Sequence, residues 1–137
     1  MADRIRKVDY YKAEIANRVG EGARVLGALK AAKVDLLAFT GFPSGRRVQL
    51  DFVPKNAALF RKAAKKAGLK VALKKGCFLA QGRDRAGAVA TILETLAKAK
   101  VSVVALNGVS AGNGRFGAFF WVKPKDVAKA AKALKAS

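Results

Sequence analysis

Hydrophobic and polar residues alternate along the chain with two periods, one typical of strands and one typical of helices. Bulky or alternating apolar residues predict β-strands over residues 4–15, 34–40, 46–53, 69–73, 77–81, 101–106 and 115–122. Apolar residues three and four positions apart predict helices over residues 23–33, 54–67, 89–100 and 126–135. Glycine-rich stretches predict a turn-rich loop at residues 41–45 and a hairpin at residues 107–114, with a turn at Asn113-Gly114.

The second predicted helix has a signal at each end. Pro54 is expected to open it, because the first turn of a helix needs no amide donor at that position. Gly68 is expected to end it, because glycine readily adopts the left-handed conformation that follows many helices.

The predicted elements have the order β-α-β-β-α-β of the ferredoxin-like fold, and the order then starts a second time. We predict an α+β protein of two tandem ferredoxin-like modules, residues 1–75 and 76–137, with antiparallel sheets and helices mainly on one face. The second module lacks its own last strand. The place of that strand, beside the strand with Cys77, stays open or is filled by another segment or another chain.

Two motifs repeat at a constant spacing, which supports a duplication. Residues 17–20 (Asn-Arg-Val-Gly) recur as residues 84–87 (Asp-Arg-Ala-Gly), and residues 29–34 recur as residues 96–101. A duplicated unit of this length predicts two similar modules that pack side by side and form clefts between them.

The charge of the chain is strongly positive. Its 137 residues include 28 Lys and Arg against 9 Asp and Glu, which gives a formal net charge of +19. Such a surface attracts polyanions, so nucleic acid is a possible partner. A solvated, solubilising surface has the same composition, and charge alone does not separate the two interpretations.

The residues that usually support catalysis are missing or scattered. Without histidine the chain lacks the usual general base at neutral pH and the commonest transition-metal ligand. Cys77 is the only cysteine, which excludes a disulfide within the chain, and we expect it to be a small buried hydrophobe. The sequence therefore predicts no enzyme, no metal site and no cofactor.

No apolar run approaches the ~20 residues that a helix needs to span a bilayer. The amino terminus also lacks the apolar stretch of a signal peptide. We therefore expect a cytoplasmic protein with no membrane partner.

A strand, an Asp/Asn-Arg-x-Gly loop, a helix with leucine near its end and a Val-rich strand follow one another at residues 84–103 and again at 17–36. This combination resembles the ACT domain, a ferredoxin-like module that senses small molecules. The family usually has proline before the glycine, where this chain has Val19 and Ala86. The resemblance covers nearly the whole chain as a tandem pair. It implies a non-catalytic, regulatory protein that binds a small molecule, with an amino acid as the first expected ligand.

The resemblance also implies a site where the first loop and helix of one module face the neighbouring module. The matching positions are Asp84, Arg85, Gly87 and Ser102 in the second module, and Asn17, Arg18, Gly20 and Asp35 in the first. Helix-start amides and arginine would hold a carboxylate, and Asp or a loop carbonyl would hold an ammonium group. The alternative is that Asn17 and Asp84 only cap helices and the glycines only turn the chain. The second module matches the family better.

RNA binding is a second interpretation, because the RNA-recognition module has the same order of elements and stacks bases on aromatic strand residues. Residues 114–121 resemble its third-strand signature, and residues 77–81 loosely resemble its first. Ala118 departs from that pattern and shifts Phe119 to the opposite strand face. A structural or interaction module without a ligand is a third interpretation.

A homodimer is the last expectation. It rests on the vacant strand place beside Cys77 and on the strand at residues 115–122, which carries aromatic residues on both faces.

Overall fold

The computed structural model describes residues 3–137, which contain six strands and four α-helices. The strands are β1 (Arg4–Ala16), β2 (Leu36–Ser44), β3 (Arg47–Pro54), β4 (Ala72–Arg83), β5 (Val103–Gly112) and β6 (Arg115–Val122). The helices are α1 (Glu21–Ala31), α2 (Ala57–Lys66), α3 (Ala88–Lys98) and α4 (Val127–Leu134), with a short 3-10 turn at Pro124–Asp126. The α+β class with antiparallel pairing is confirmed.

The chain forms two compact units whose limits fall inside strands. The first unit is residues 9–74, and the second unit combines the residues up to Val8 with residues 75–137. Strands β1 and β4 therefore contribute residues to both units. The predicted division between the modules lay after residue 75, and the whole of β1 was predicted to belong to the first module.

The first unit has the strand order β2-β3-β1-β4, to which β4 contributes residues 72–74. Tyr11 pairs with Phe52 in the register of β1 and β3. Both rings bury their faces under the helices, where Phe60 of α2 lies 5.1 Å from each of them between ring centroids. Val25 and Leu29 of α1 complete this core.

The second unit has the strand order β1-β4-β6-β5, to which β1 contributes its first residues. That segment fills the vacant strand place beside Cys77, so the filling comes from the same chain. Main-chain hydrogen bonds also join the last residue to this segment, from the Lys7 amide to the Ser137 carbonyl (2.9 Å) and from the Ser137 amide to the Ile5 carbonyl (3.0 Å).

The core of the second unit lies between one sheet face and its two helices. Phe78 of β4 and Phe120 of β6 stack with ring centroids 5.5 Å apart, and both are fully buried. Ile92 and Leu96 of α3 and Ala130 of α4 cover them. Cys77 is fully buried, as expected for a small hydrophobe.

The predicted loop at residues 41–45 was too long, whereas the hairpin predicted at residues 107–114 turns where expected and is otherwise mostly strand. β2 continues through residues 41–44 and turns only at residues 45–46, while β5 continues to Gly112 and turns at Asn113 and Gly114. Asn113 and Gly114 both have positive φ, which is what a two-residue hairpin turn requires. Such a short turn lets cross-strand hydrogen bonds extend over residues that glycine content had marked as loop.

Two predicted boundaries near the middle of the chain were wrong. Pro54 ends β3, and α2 starts after Asn56, whose side chain accepts a hydrogen bond from the Leu59 amide at 3.1 Å. This is standard capping by asparagine. The segments at residues 69–73 and 77–81 belong mostly to one strand, since β4 passes through Gly76 with a φ of 100°.

All four helices of the described residues end in the same way. A residue with positive φ ends each of them, as the residue after the cap in α1, α2 and α3 and as the cap itself in α4. The next amide bonds back to a carbonyl five residues earlier, as in Val34 to Leu29 and Val101 to Leu96 (both 2.9 Å). The positive-φ residues are Lys33, Gly68, Lys100 and Lys135. The repeated segments 29–34 and 96–101 therefore have the same local structure, a Schellman end with lysine where glycine is usual.

Candidate ligand site in the second unit

The loop between β4 and α3 carries the Asp-Arg-x-Gly motif. Gly87 precedes α3 with a φ of 80°, and a Cβ built there would have no atom within 4 Å. Glycine is needed at this position for its backbone conformation and not for space. The motif thus fixes how the chain enters α3.

A cavity of about 300 Å³ opens beside this loop. Its lining comes from the loop, the first turn of α3, β5 and β6: Asp84, Arg85, Gly87, Ala88, Val89, Ala90, Gly108, Val109, Ser110 and Phe116. The structure therefore brings three predicted site residues together, namely Asp84, Arg85 and Gly87. The size is at the lower end of the range for small-molecule sites.

Asp84 faces β5 and does not cap the helix. Its Oδ2 accepts a hydrogen bond from Ser110 Oγ at 3.0 Å, and its amide donates to the Gly114 carbonyl at 2.8 Å. No side chain forms a cap bond at the start of α3. The capping interpretation of Asp84 is wrong, and the carboxylate is held at the wall of the cavity.

The first turn of α3 supplies backbone donors to the same cavity. Ala88, Val89 and Ala90 line it. The Ala88 amide donates to the Arg85 carbonyl at 3.3 Å, whereas the amides of Val89 and Ala90 lie in the first helical turn, where amides have no intrahelical acceptor. The helix dipole adds partial positive charge at this end. The cavity therefore combines a donor-rich helix start with the acceptor Asp84.

Arg85 is held by three groups. Its Nη1 and Nη2 each donate to a different oxygen of the Asp3 carboxylate at 2.8 Å, and Nη1 also donates to the Arg83 carbonyl at 2.8 Å. The guanidinium carbon lies 5.6 Å from the centre of the Phe116 ring. The hydrogen bond to Asp3 raises the pKa of Arg85 above its ordinary value.

Sequence reasoning missed Asp3 and Ser110. Asp3 lies 82 positions before Arg85, and nothing in its local sequence marks it as part of this loop. Ser110 lies 26 positions after Asp84, and no motif links it to this loop. The predicted Ser102 is exposed between α3 and β5 and is not among the residues that line the cavity.

The corresponding residues of the first unit form an exposed loop. Asn17, Arg18 and Gly20 are all exposed, Gly20 has a φ of 93°, and Asn17 does not cap α1. Glu21 in the first turn binds Arg24 (3.2 Å), a hydrogen bond that lowers the pKa of Glu21. Asp35 uses its main-chain carbonyl, which accepts from the Lys55 amide at 2.9 Å.

The aromatic residues of β6 do not form an open stacking surface in the second unit. Phe116 and Phe120, on which the RNA interpretation depended, are 5% and 0% exposed and belong to the core under the helices. Only Phe119, half-buried on the other face, remains partly accessible. Its ring lies 5.0 Å from that of Trp121.

The described residues, 3–137, contain no group of three or more His, Cys, Asp or Glu side chains arranged to hold a metal ion. No helix in that part of the chain is long and apolar enough to cross a membrane.

Comparisons with known proteins find similar structures but no matching sequence family. No family model and no curated protein matches the chain. A protein from Bacteroides thetaiotaomicron is similar over 96% of this chain and 88% of its own, with a TM-score of 0.80 and 17% identity. The regulatory subunit of aspartate kinase from Thermus thermophilus is similar over 98% and 95%, with a TM-score of 0.67 and 13% identity.

A third structure, described as a putative C-terminal regulatory domain of aspartate kinase from Porphyromonas gingivalis, is similar over 98% of this chain and 94% of its own. Its TM-score is 0.58 and its identity 19%. The chain has an ACT-like fold. The agreement spans nearly the full length of these domains, and at these identities it concerns the fold alone.

Proposed function

We propose that this ACT-like protein is a non-catalytic regulatory protein that binds an amino acid in the cavity of the second unit. The observation that carries the proposal is the joining of Asp84, Ser110 and the uncapped start of α3 around one cavity of about 300 Å³. A zwitterion needs an acceptor and a set of donors close together, and this cavity offers both.

The amino acid is expected to bind with its carboxylate at the first turn of α3 and its ammonium group at Asp84. Helix-start amides favour anions, and a carboxylate such as Asp84 forms a charge-assisted hydrogen bond with an ammonium group. Val89 and Phe116 provide apolar surface for the ligand side chain. Ser102 remains a predicted contact of the second-unit site. The first-unit residues Asn17, Arg18, Gly20 and Asp35 remain predicted contacts of a second, weaker site.

The comparisons support a regulatory role because similar structures are regulatory parts of aspartate kinases in other organisms. Those domains share the arrangement of this chain over nearly its whole length. On this view the protein reports ligand binding to a partner and carries out no reaction itself.

Thermal unfolding of the full chain with each common amino acid at millimolar concentration tests the proposal. A ligand at one hundred times its Kd stabilises the folded state by about 2.7 kcal/mol, which is readily measured. D84N should weaken binding of the stabilising amino acid at least about tenfold, since it removes a charged hydrogen bond. D126N makes the same change at a carboxylate that pairs with Lys129 away from the cavity, so it is the matched control and should bind as the wild type does. Absence of stabilisation by every amino acid would count decisively against the proposal.

A homodimer remains a prediction, with one of its two reasons removed. The place beside Cys77 is filled by β1 of the same chain, so a second copy is not needed there. Sedimentation at micromolar concentration decides between monomer and dimer.

A further inference from the structure

The strongest unassigned feature is the pair that Arg85 forms with Asp3. The two Nη atoms meet the two carboxylate oxygens at 2.8 Å each, which is the geometry in which arginine recognises a free carboxylate. The Asp3 side chain is only 13% exposed, whereas that of Arg85 is 39% exposed. The second unit thus contains an arginine at the cavity wall that is already occupied by a carboxylate of its own chain.

The surroundings are shaped to admit that carboxylate. A Cβ on Gly82 would collide with Asp3 Oδ1 and would lie 3.0 Å from Cε1 of Phe116. Glycine at position 82, where φ is not positive, therefore serves to leave room for Asp3. The Phe116 ring and the Arg83 carbonyl hold the guanidinium from other directions, so Arg85 stays at the wall when Asp3 leaves.

We propose that Asp3 is an intramolecular competitor for the carboxylate of the ligand. In the closed state Asp3 occupies both terminal nitrogens of Arg85. A ligand that bears a carboxylate reaches those donors only when the Asp3 side chain leaves. This inference rests on the proposed site and adds that Arg85 holds the ligand carboxylate together with the first turn of α3, in competition with Asp3.

The strength of the pair suits such a switch. A partly exposed ion pair is worth little net free energy, because water solvates both groups when it opens. If Asp3 occupies Arg85 in about four of every five molecules, the apparent affinity for a ligand carboxylate is lowered about fivefold. The contact is therefore weak enough for a ligand carboxylate to displace it.

The test uses acetate, the smallest carboxylate, titrated at constant ionic strength into the full chain labelled with nitrogen-15. The guanidinium signals of Arg85 are assigned by their loss in R85K. We expect D3N to bind acetate about fivefold more tightly than the wild type, because the competitor no longer carries charge. D126N is the matched control, since Asp126 pairs with Lys129 elsewhere in the same unit and its loss changes the net charge equally.

G82A provides a second way to open the pair without changing any charge. It should also raise acetate affinity, because the added methyl group displaces the Asp3 carboxylate. Equal affinity in the wild type, D3N and G82A, or weaker binding by D3N, would overturn the inference and make Asp3 only a support for Arg85. Failure of the amino-acid screen with stronger acetate binding by D3N would reject the proposed ligand but not the competition.

Discussion

Ser110 Oγ donates a hydrogen bond to Asp84 Oδ2 at 3.0 Å, although the two residues are 26 positions apart. The bond joins β5, near its hairpin turn, to the loop that precedes α3. It fixes one carboxylate oxygen of Asp84 at β5. The other oxygen, Oδ1, is the expected acceptor for a ligand ammonium group.

Replacement of this serine tests the orienting role. We expect S110A to weaken amino-acid binding several-fold, because Asp84 would then sample other rotamers. The melting temperature should change little, since a hydrogen bond between two exposed side chains contributes only about 0.5–1.5 kcal/mol. Calorimetric titration measures the first effect and thermal unfolding the second. S44A at the β2 end in the other unit is the control.

The lysines that end α1 and α3 offer a test of the shared helix ends. Lys33 and Lys100 have φ of 61° and 59°, a conformation that costs a residue with a Cβ about 1 kcal/mol. K33G and K100G should each raise the free energy of unfolding by about 0.5–1 kcal/mol, the gain being reduced by the added freedom of the unfolded chain. Chemical denaturation measures the change.

The matched control for K33G is K30G, in the last turn of α1. There the backbone is helical, and glycine should destabilise by about 1 kcal/mol. If K33G and K30G change the free energy of unfolding in the same direction, the explanation by backbone conformation is contradicted.

Local sequence signals predicted the elements well because they depend on neighbouring residues. The helices around Val25 and Ile92 and the alternating strand 115–122 follow from periodicity, and the motif loop at residues 84–87 follows from its glycine. The partition of β1 could not be predicted, since the pairing of residues 4–8 with distant β4 leaves no periodic mark. Gly76 was interpreted as a boundary, whereas a positive φ lets β4 continue through it.

The sequence predicted one part of the candidate site and missed the other. Asp84, Arg85 and Gly87 are adjacent in sequence and form one recognisable motif. Their partners Ser110 and Asp3 come from segments that only the folded sheet brings close. A sequence pattern reports the loop, but it does not report which distant side chains complete it.

Phe60 is the centre of the first-unit core. It is fully buried between Tyr11 and Phe52, with ring centroids 5.1 Å from each. F60A should lower the free energy of unfolding by about 3–5 kcal/mol, the usual cost of a large core cavity. F42A removes a ring that is 44% exposed and should change stability far less. Comparable losses in the two variants would show that the core is assigned wrongly.

Asp51 should make stability depend on pH. It is 5% exposed, and burial raises its pKa above the ordinary 3.8 although Gln49 Nε2 donates to its oxygens at 3.2 and 3.3 Å. The folded state therefore holds the proton more tightly than the unfolded state. The contribution of Asp51 to stability decreases as the pH rises from 3.8 through the raised pKa.

D51N removes this ionisation. We expect its melting temperature to exceed that of the wild type by a few degrees at neutral pH, and the difference to shrink as the pH falls below the raised pKa. The exposed D35N variant controls for the lost charge. A difference that stays constant between acidic and neutral pH would contradict the assignment.

The charge of +19 predicts that single-stranded RNA binds at low salt. The logarithm of the affinity should fall linearly and steeply with the logarithm of the salt concentration. Because Phe116 and Phe120 lie in the core, base stacking on them is not expected. F119A, which removes the partly accessible ring of β6, should leave the affinity unchanged. Loss of binding by F119A at constant salt would restore the RNA interpretation.

The partition of β1 has a consequence for any attempt to produce the halves separately. A fragment that starts at Gly76 would lack the backbone of residues 4–8, and one long side of β4 would be left with unsatisfied amide and carbonyl groups. Such a fragment should aggregate. Adding a peptide of residues 3–8 in trans should restore its solubility, so the second unit is expected to behave as a self-complementing pair whose smaller piece precedes the first unit in the chain.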